Sequence, residues 1–369
     1  MKKVLYGTTA LLAAGMFTAA AEAATPLKLT VGGYLNAWMG YTNLSKKDFG
    51  DLVGVNKFAL GTEGEIVFAA DTKLDNGLKV GAVAEIEIGS TDFGQRYLGD
   101  VYAYAESKYG KVELGATDNV AKKLHNGAPE VGPLDNAKIV NWLGLGDVDV
   151  VLGSTAIDLD SNAKKISYFS PKFYGFQVGA SWVPGADGKD GAFDVAANGA
   201  SAPSDVLRAG AFDEFTRMYV LSAAYNNKFG GVTVGADFGF GNIQVAGVDN
   251  LNHYSFGADV GFSGFTIGAG YTILDHNAKG LKNDKAFEIG AAYENGPYAV
   301  SANYFLSKDG KVGGEKGGKV QVYKVSGKYK LGAGVDAFAT FAYLDMNKEA
   351  RPIDTDNVWT VVTGLALNF

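Results

Sequence analysis

Long segments of this chain alternate strictly between apolar residues and small or polar ones. Between positions 254 and 262, aromatic or aliphatic residues occupy every second position, and Ser, Gly and Asp stand between them. Segments 176–182, 232–239, 265–273 and 287–294 repeat this pattern. Alternate side chains of a strand point to opposite faces, so each segment is predicted to be a β-strand with one apolar face. The predicted fold class is therefore all-β.

The strands are long, and two kinds of connection join them. Each runs for about 10 residues, which suits a tilted strand crossing a bilayer better than the roughly 5–6 residues of soluble sheets. Tight turns rich in Gly and Asn, such as 75–77 and 294–297, alternate with long polar stretches. The long stretches fall near 44–57, 89–99, 118–163, 184–214, 241–251, 275–284, 307–318 and 345–357. Short turns on one side only are typical of outer-membrane barrels.

Backbone hydrogen bonding requires such an array to close on itself. In hydrocarbon each unpaired N–H or C=O group costs several kcal/mol, so an open sheet edge is excluded. We therefore predict a closed antiparallel transmembrane β-barrel of about 16 strands, with a lumen too wide for side chains to fill. An exported soluble β-sandwich or adhesin also alternates, but the strand length and the one-sided short turns favour the barrel.

Composition agrees with this fold and excludes several others. Glycine accounts for 51 of the 369 residues, and each one would cost a helix interior about 1 kcal/mol. The chain has no cysteine, which excludes a disulfide scaffold, a thiolate metal site and a cysteine nucleophile. Its net charge of −7 lacks the basic footprint of a nucleic-acid-binding protein, so no nucleic-acid partner is predicted.

The first residues have the pattern of a secretory signal. Lys2 and Lys3 precede the apolar stretch 4–21, which ends in the small-residue motif Ala21-Glu22-Ala23. We predict a signal peptide over residues 1–23, cleaved after Ala23 or Ala24, and a single barrel domain over residues 24–369.

Three stretches resemble the Gram-negative general porin family. They are the opening Lys28-Leu-Thr-Val-Gly-Gly-Tyr-Leu, the turn Ser167-Tyr-Phe-Ser-Pro-Lys-Phe-Tyr-Gly-Phe-Gln-Val and the closing Leu365-Ala-Leu-Asn-Phe369. The resemblance implies a homotrimeric, 16-stranded channel in the cell outer membrane, in contact with lipid and lipopolysaccharide. It also implies insertion by the barrel-assembly machinery, which reads the terminal Phe369, and a third long loop folded into the lumen as a constriction.

The third loop, residues 118–163, is the longest of the eight, and loops above about 12–15 residues are usually functional. The charged residues expected to line the pore from this loop are Lys122, Lys123, Glu130, Asp135, Lys138, Asp147 and Asp149. By alternation, carboxylates of the second to fifth strands also face the lumen, namely Glu63, Glu65, Glu85, Glu87, Glu106 and Glu113. Lys324 and Lys328, on the fourteenth strand, are the basic counterparts. The family arrangement sets loop carboxylates against a wall of arginines, and this chain departs from it because it has only four arginines.

These features predict a porin for passive diffusion of ions and small hydrophilic solutes. Rings of carboxylates favour cations, which gives the hypothesis of weak cation selectivity. An equally supported interpretation is that the glutamates hydrate the lumen or pair with Lys122, Lys123 and Lys138.

Two other functions stay open. A substrate-specific channel would need an aromatic slide, and the lumen-phase residues Tyr34, Trp38, Tyr102 and Tyr104 form a small aromatic group that trimer packing explains equally. A barrel enzyme would need a Ser/His/Asp constellation, and neither HExxH nor GxSxG occurs. No catalytic residue, metal ligand or cofactor is therefore predicted.

The loop acids of 147–149 and 158–160 lack EF-hand spacing for Ca²⁺ and are expected to be solvated.

Overall fold

The computed structural model describes residues 26–44, 56–89, 98–143, 152–160, 162–184, 215–245, 249–277, 282–310, 317–347, 350 and 357–369. The predicted signal peptide, 1–23, lies outside these ranges. Within them the chain forms sixteen strands and two short helices. No helix in the described part of the chain is long and apolar enough to cross a membrane.

The first eight strands are β1 (Lys28–Thr42), β2 (Phe58–Lys73), β3 (Lys79–Ile88), β4 (Leu98–Ser107), β5 (Gly110–Ala116), β6 (Lys164–Phe169), β7 (Phe176–Val183) and β8 (Phe215–Phe229). The second eight are β9 (Val232–Val245), β10 (Leu251–Phe262), β11 (Phe265–Asp275), β12 (Asp284–Asn295), β13 (Tyr298–Lys308), β14 (Lys319–Gly332), β15 (Val335–Met346) and β16 (Asn357–Asn368). The helices α1 (Val120–Leu124) and α2 (Asn136–Trp142) both lie in the third loop.

The sheet closes into an antiparallel barrel. Each strand pairs with its sequence neighbours, and β1 pairs with β16. At this seam the backbone N–H of Gly33 donates to the Phe369 carbonyl at 2.9 Å, and the Phe369 N–H donates back at 3.0 Å. Closure leaves no unpaired edge toward lipid, as a membrane-spanning sheet requires. The predicted 16-stranded closed barrel is confirmed.

The predicted alternation sets the two faces of the wall. On β10 and β11, Phe256, Val260 and Ile267 are exposed on the outside, whereas Ser255 and Thr272 are buried on the inside. Outer aromatic rings pair across neighbouring strands near their ends, as Phe265 and Tyr293 do with centroids 4.3 Å apart. An apolar surface with aromatic residues near its ends is typical of a barrel in contact with lipid and its two interfaces.

The lumen is not uniformly polar and open, although a wide water-filled interior was expected. Inward-facing Val322, Leu344 and Val358 lie on the adjacent strands β14–β16 and are almost fully buried. They form one apolar cluster with Leu134 and Ile139 of the third loop. The loop therefore brings its own apolar residues into the barrel and packs them against part of the wall.

Candidate pore constriction

The third loop lies inside the barrel and contacts opposite parts of its wall. The Lys138 ammonium is 2.5 Å from Glu63 Oε1 on β2, and the Lys324 ammonium on β14 is 2.7 Å from Glu130 Oε1. The Trp142 ring of α2 packs edge-on against Trp38 of β1, with centroids 5.8 Å apart. The expectation that this loop folds into the lumen is confirmed.

The far end of the loop, residues 128–134, is fastened to the inner faces of β12–β14. The hydrogen bonds run from Ala128 N to Glu288 Oε1 (3.3 Å), Asn303 Nδ2 to Pro129 O (2.8 Å), Val131 N to Ser301 Oγ (3.1 Å) and Lys324 Nζ to Leu134 O (3.0 Å). Backbone groups that would otherwise lack partners inside the barrel are thereby satisfied by wall side chains. The wall thus provides a row of polar groups that matches the path of the loop.

Glycines on the inner face let the loop backbone touch the wall. A Cβ at Gly257 of β10 would collide with the carbonyl oxygen of Asn126, and one at Gly268 of β11 would collide with that of Gly127. On β7, a Cβ at Gly179 would stand 2.8 Å from the Cβ of Val120. Part of the high glycine content therefore serves the seating of the loop.

Opposite this seated part, the inner faces of β2–β5 form an acidic wall. Its carboxylates are Glu63, Glu65, Asp71, Glu85, Glu87, Asp100, Glu106 and Glu113. Asp71 is 3.6 Å from Lys79 of β3. The Tyr34 hydroxyl donates to Glu65 Oε1 at 3.1 Å, and Thr117 Oγ1 donates to Asp100 Oδ2 at 2.6 Å. Glu65 and Glu87 stand directly opposite each other in the β2–β3 register. Like charges so placed repel one another.

Of the two lysines of α1, Lys123 pairs with this wall and Lys122 pairs with carboxylates of the loop itself. The Lys123 ammonium is 2.6 Å from Glu113, which Lys111 also contacts at 2.7 Å. Lys122 forms ion pairs with Asp118 at 2.9 Å and Asp158 at 2.8 Å. Burial alone would lower the Lys122 pKa, but the carboxylates of Asp158 and Asp118 outweigh it and raise that pKa above its usual value. Lys122 is therefore a permanent positive charge at the loop.

A cavity of about 1700 Å³ lies between the loop and the turn side of the barrel. Its lining includes Glu85, Asp100 and Glu113 from the wall, and Lys122 and Lys123 from the loop. Ten carboxyl side chains and five lysines line it in all. Because carboxylates outnumber lysines, the electrostatic potential in the cavity is negative.

The other predicted site residues occupy varied positions. Asp135 caps α2, where its side chain accepts from Lys138 N, and Lys328 is 3.7 Å from Asp336. Lys324 has the predicted lumen phase, but its side chain is 0% exposed, so it lies under the loop and faces no open water. Burial raises the pKa of Glu130 above the usual carboxyl value, and Lys324 offsets this only in part.

Asp147 and Asp149 lie outside the described residues. The Phe369 ring is about half exposed on the outside of the barrel. Asp158 and Asp160 pair with Lys122 and Lys165, at 2.8 and 3.1 Å. Across the described ranges, no group of three or more Asp, Glu or His residues has the geometry of a metal site.

Sequence reasoning missed several residues that hold the loop. Asp237 of β9 accepts from the backbone N–H of Asn126 at 2.5 Å and lies 3.1 Å from His125 Nδ1. Glu288 accepts from Thr155 Oγ1 at 2.6 Å. Asp100 could have been found, because it shares the phase of Tyr102 on β4. The roles of Asp237 and Glu288 depend on the loop path, which periodicity does not contain.

A closed barrel with an apolar outer surface, and with a loop that narrows its lumen, defines a channel-forming protein of the outer-membrane type. The chain belongs to the Gram-negative porin family, whose sequence model matches residues 7–349. It is thus an outer-membrane porin, as the resemblance implied.

Relatives and solved structures agree with this assignment. The major outer membrane protein of Pasteurella multocida is 25% identical over 336 residues, covering 88% of this chain and 87% of that protein. An uncharacterized protein of Rickettsia bellii is 22% identical over 231 residues, and the chain spans about half of its length (52%). The anion-selective porin from Comamonas acidovorans superposes with a TM-score of 0.62 at 17% identity, covering 93% of this chain and all of that one. OmpT of Vibrio cholerae, in its trimer form, gives 0.58 at 12% identity, with coverages of 92% and 99%.

Proposed function

We propose that the protein is a water-filled diffusion channel with a weak preference for cations, and that its constriction lies between the third loop and the acidic wall. The observation that carries the proposal is the excess of carboxylates over lysines around the cavity. Rings of carboxylates in a narrow aqueous path raise the local concentration of cations and lower that of anions.

The pairing of the lysines explains why the preference is expected to be weak. Glu63 and Glu113 are matched by Lys138 and by Lys111 with Lys123. Glu65, Glu85, Glu87 and Asp100 contact no lysine at ion-pair distance in the described part of the chain, so their charges are not offset directly. Their effect is screened by salt, because the Debye length is about 8 Å at physiological ionic strength.

The aromatic residues favour a general channel over a substrate-specific one. Trp38 is covered by Trp142, and the Tyr102 and Tyr104 rings face the ammonium groups of Lys123 and Lys111, at 4.8 and 4.7 Å. Rings engaged in this way offer no continuous face for a sliding sugar. Passage by diffusion needs no covalent step and no cofactor, so we assign no enzymatic activity.

The outer face of β2–β4 supports a homotrimer. Ala70, Ala82 and Ala103 form one row of small residues across these strands, and Ala84 and Ala105 lie on the same face. Such a face lets the wall of a second barrel approach closely, and one relative of the same fold has been solved in a trimer form. The remaining outer surface would contact lipid and lipopolysaccharide. We also propose that the signal peptide, residues 1–23, directs export and that the barrel-assembly machinery recognises Phe369.

Planar bilayers test this proposal. Purified protein is expected to insert with three equal conductance steps, and a KCl gradient is expected to give a reversal potential of the sign for K⁺ over Cl⁻. Absence of conductance would overturn the proposed channel function, and a clear preference for Cl⁻ would overturn the proposed cation selectivity.

A further inference from the structure

A buried ion pair joins the two ends of the third loop where they leave the barrel wall. Lys165 of β6 lies 3.1 Å from Asp160 Oδ2, and the two side chains are 0% and 1% exposed. The same ammonium donates to the carbonyl oxygen of Thr117. One side chain of the wall thus binds both the departing and the returning limb of the loop.

Asp160 passes this constraint on to α1. Its Oδ1 accepts from Asn119 Nδ2 at 2.5 Å, and the same amide donates to the carbonyl oxygen of Ile157 at 2.9 Å. The Asn119 Oδ1 accepts from the N–H groups of Ala121 and Lys122, at 2.8 and 3.0 Å. This is an N-cap, which fixes where the helix begins and how it is turned.

The orientation of α1 determines where two charges of the constriction lie. Lys122 and Lys123 are the third and fourth residues after the cap, and their ammonium groups reach Asp158 and Glu113 at 2.8 and 2.6 Å. Lys165 itself lies beneath these groups and has no exposed surface, so it cannot touch a permeating ion.

Stability alone is a weak reason for such a pair. Desolvating two charges opposes folding, and replacing a buried pair by apolar residues of similar volume is often neutral or stabilising. Geometry is the property that an apolar replacement would lose, because it cannot hold Thr117 and Asn119 in place.

We propose that Lys165, through Asp160 and Asn119, is a positioning residue for ion selectivity: it holds α1 so that Lys122 and Lys123 lie at the constriction. The inference rests on the proposed channel function. It assigns a permeation role to a side chain remote from the permeating ions, and it makes the third loop a fixed element of the pore.

The decisive variant replaces both charges, Asp160→Leu with Lys165→Met. Asn119→Ala keeps the Lys165–Asp160 ion pair and removes the side chain that joins it to α1, together with the hydrogen bond to Ile157. Lys308→Met is the matched control, since it removes an exposed lysine at the end of β13. Heat-modifiable migration on gels reports barrel closure, while single-channel recordings give the unit conductance and the K⁺/Cl⁻ permeability ratio.

The double variant and Asn119→Ala are expected to keep a closed barrel, to conduct more, and to have a higher K⁺/Cl⁻ permeability ratio than the wild type, because Lys122 and Lys123 no longer offset the carboxylates at the constriction. Lys308→Met is expected to match the wild type. Wild-type conductance and a wild-type permeability ratio in the double variant would overturn the inference. If the double variant does not assemble, wild-type conductance and ratio in Asn119→Ala would overturn it. A wild-type protein without conductance would instead count against the channel itself.

Discussion

The two sides of the lumen differ, although both are built from alternating strands. The inner face of β2–β5 carries carboxylates, several of them side by side. The inner face of β14–β16 carries valines and leucines that are buried beneath the third loop, with Val322, Leu344 and Val358 at 1% exposure or less. The first side faces the cavity, and the second is part of an internal core.

The difference shows that "facing the lumen" describes two environments. On the acidic wall, Lys111, Lys123 and Lys138 pair with Glu113 and Glu63 and offset part of the repulsion between like charges. On the covered wall, apolar burial contributes roughly 25 cal/mol per Å² and holds the loop in place. A porin of this kind therefore keeps its hydrophobic core in part of the lumen and its electrostatic field in the rest.

The sharpest way to break this comparison is to remove the space into which the loop fits. Gly257→Val adds side-chain atoms where the Asn126 carbonyl lies against the wall, so the loop must move and the unit conductance should change strongly. Ala258→Val is the matched control, because residue 258 is exposed on the outer face. Single-channel recording is the measurement. Wild-type conductance in Gly257→Val would mean that the loop is not seated on β10.

The apolar packing between the third loop and β14–β16 should respond to side-chain truncation as a protein core does. Ile139 of α2 is fully buried, and Ile→Ala changes in cores cost about 2–5 kcal/mol. We expect Ile139→Ala to lower the free energy of unfolding, measured by urea titration in lipid vesicles. Glu85→Gln is the paired variant on the acidic wall, and it should cost little because it removes one of several like charges. Equal losses for the two variants would contradict the distinction between the walls.

Removing charge from the acidic wall should change the ion selectivity and leave the free energy of unfolding almost unchanged. Glu85→Gln combined with Asp100→Asn is expected to lower the K⁺/Cl⁻ permeability ratio, since both side chains line the cavity. Asp75→Asn, in an exposed turn, should leave it unchanged. Reversal potentials in a KCl gradient provide the test, and an unaltered ratio in the double variant would show that ions pass elsewhere.

The smallest effect concerns a contact outside both walls. His276 Nε2 lies 2.7 Å from Asp284 Oδ2, and this hydrogen bond raises the His276 pKa above its usual value despite burial. The contact therefore stabilises the fold fully below the unfolded-state pKa, about 6.5, and the contribution is lost as pH rises through the raised folded-state value. The chain has three histidines, so NMR titration can resolve each. Asp284→Asn should return the midpoint to the ordinary range, and an unchanged midpoint would refute the assigned cause.

Period-two alternation predicted most of the fold because strand faces follow directly from it. It placed Glu65, Glu113 and Lys324 on the inner face, and the order of turns and loops predicted all sixteen strands. It could not show that Lys324 lies under the loop, nor that Val322 and Leu344 belong to a core. Those facts depend on where a long connection travels in space. Lys165 was missed for the same reason, because its partners at 117 and 160 meet only when the loop returns to β6.

The seam between β1 and β16 has a consequence for assembly. Thr42 and Trp359 are hydrogen-bonded although 317 positions separate them. Closing a ring of that length costs roughly 5 kcal/mol of chain entropy, which grows only with the logarithm of length. Several unpaired peptide groups in hydrocarbon would cost more than that, so closure is favourable at equilibrium. Long-range pairing is nevertheless slow. Until β1 pairs with β16, the sheet has two edges with unpaired backbone groups. The chain is therefore expected to enter the bilayer as a closed barrel and not hairpin by hairpin.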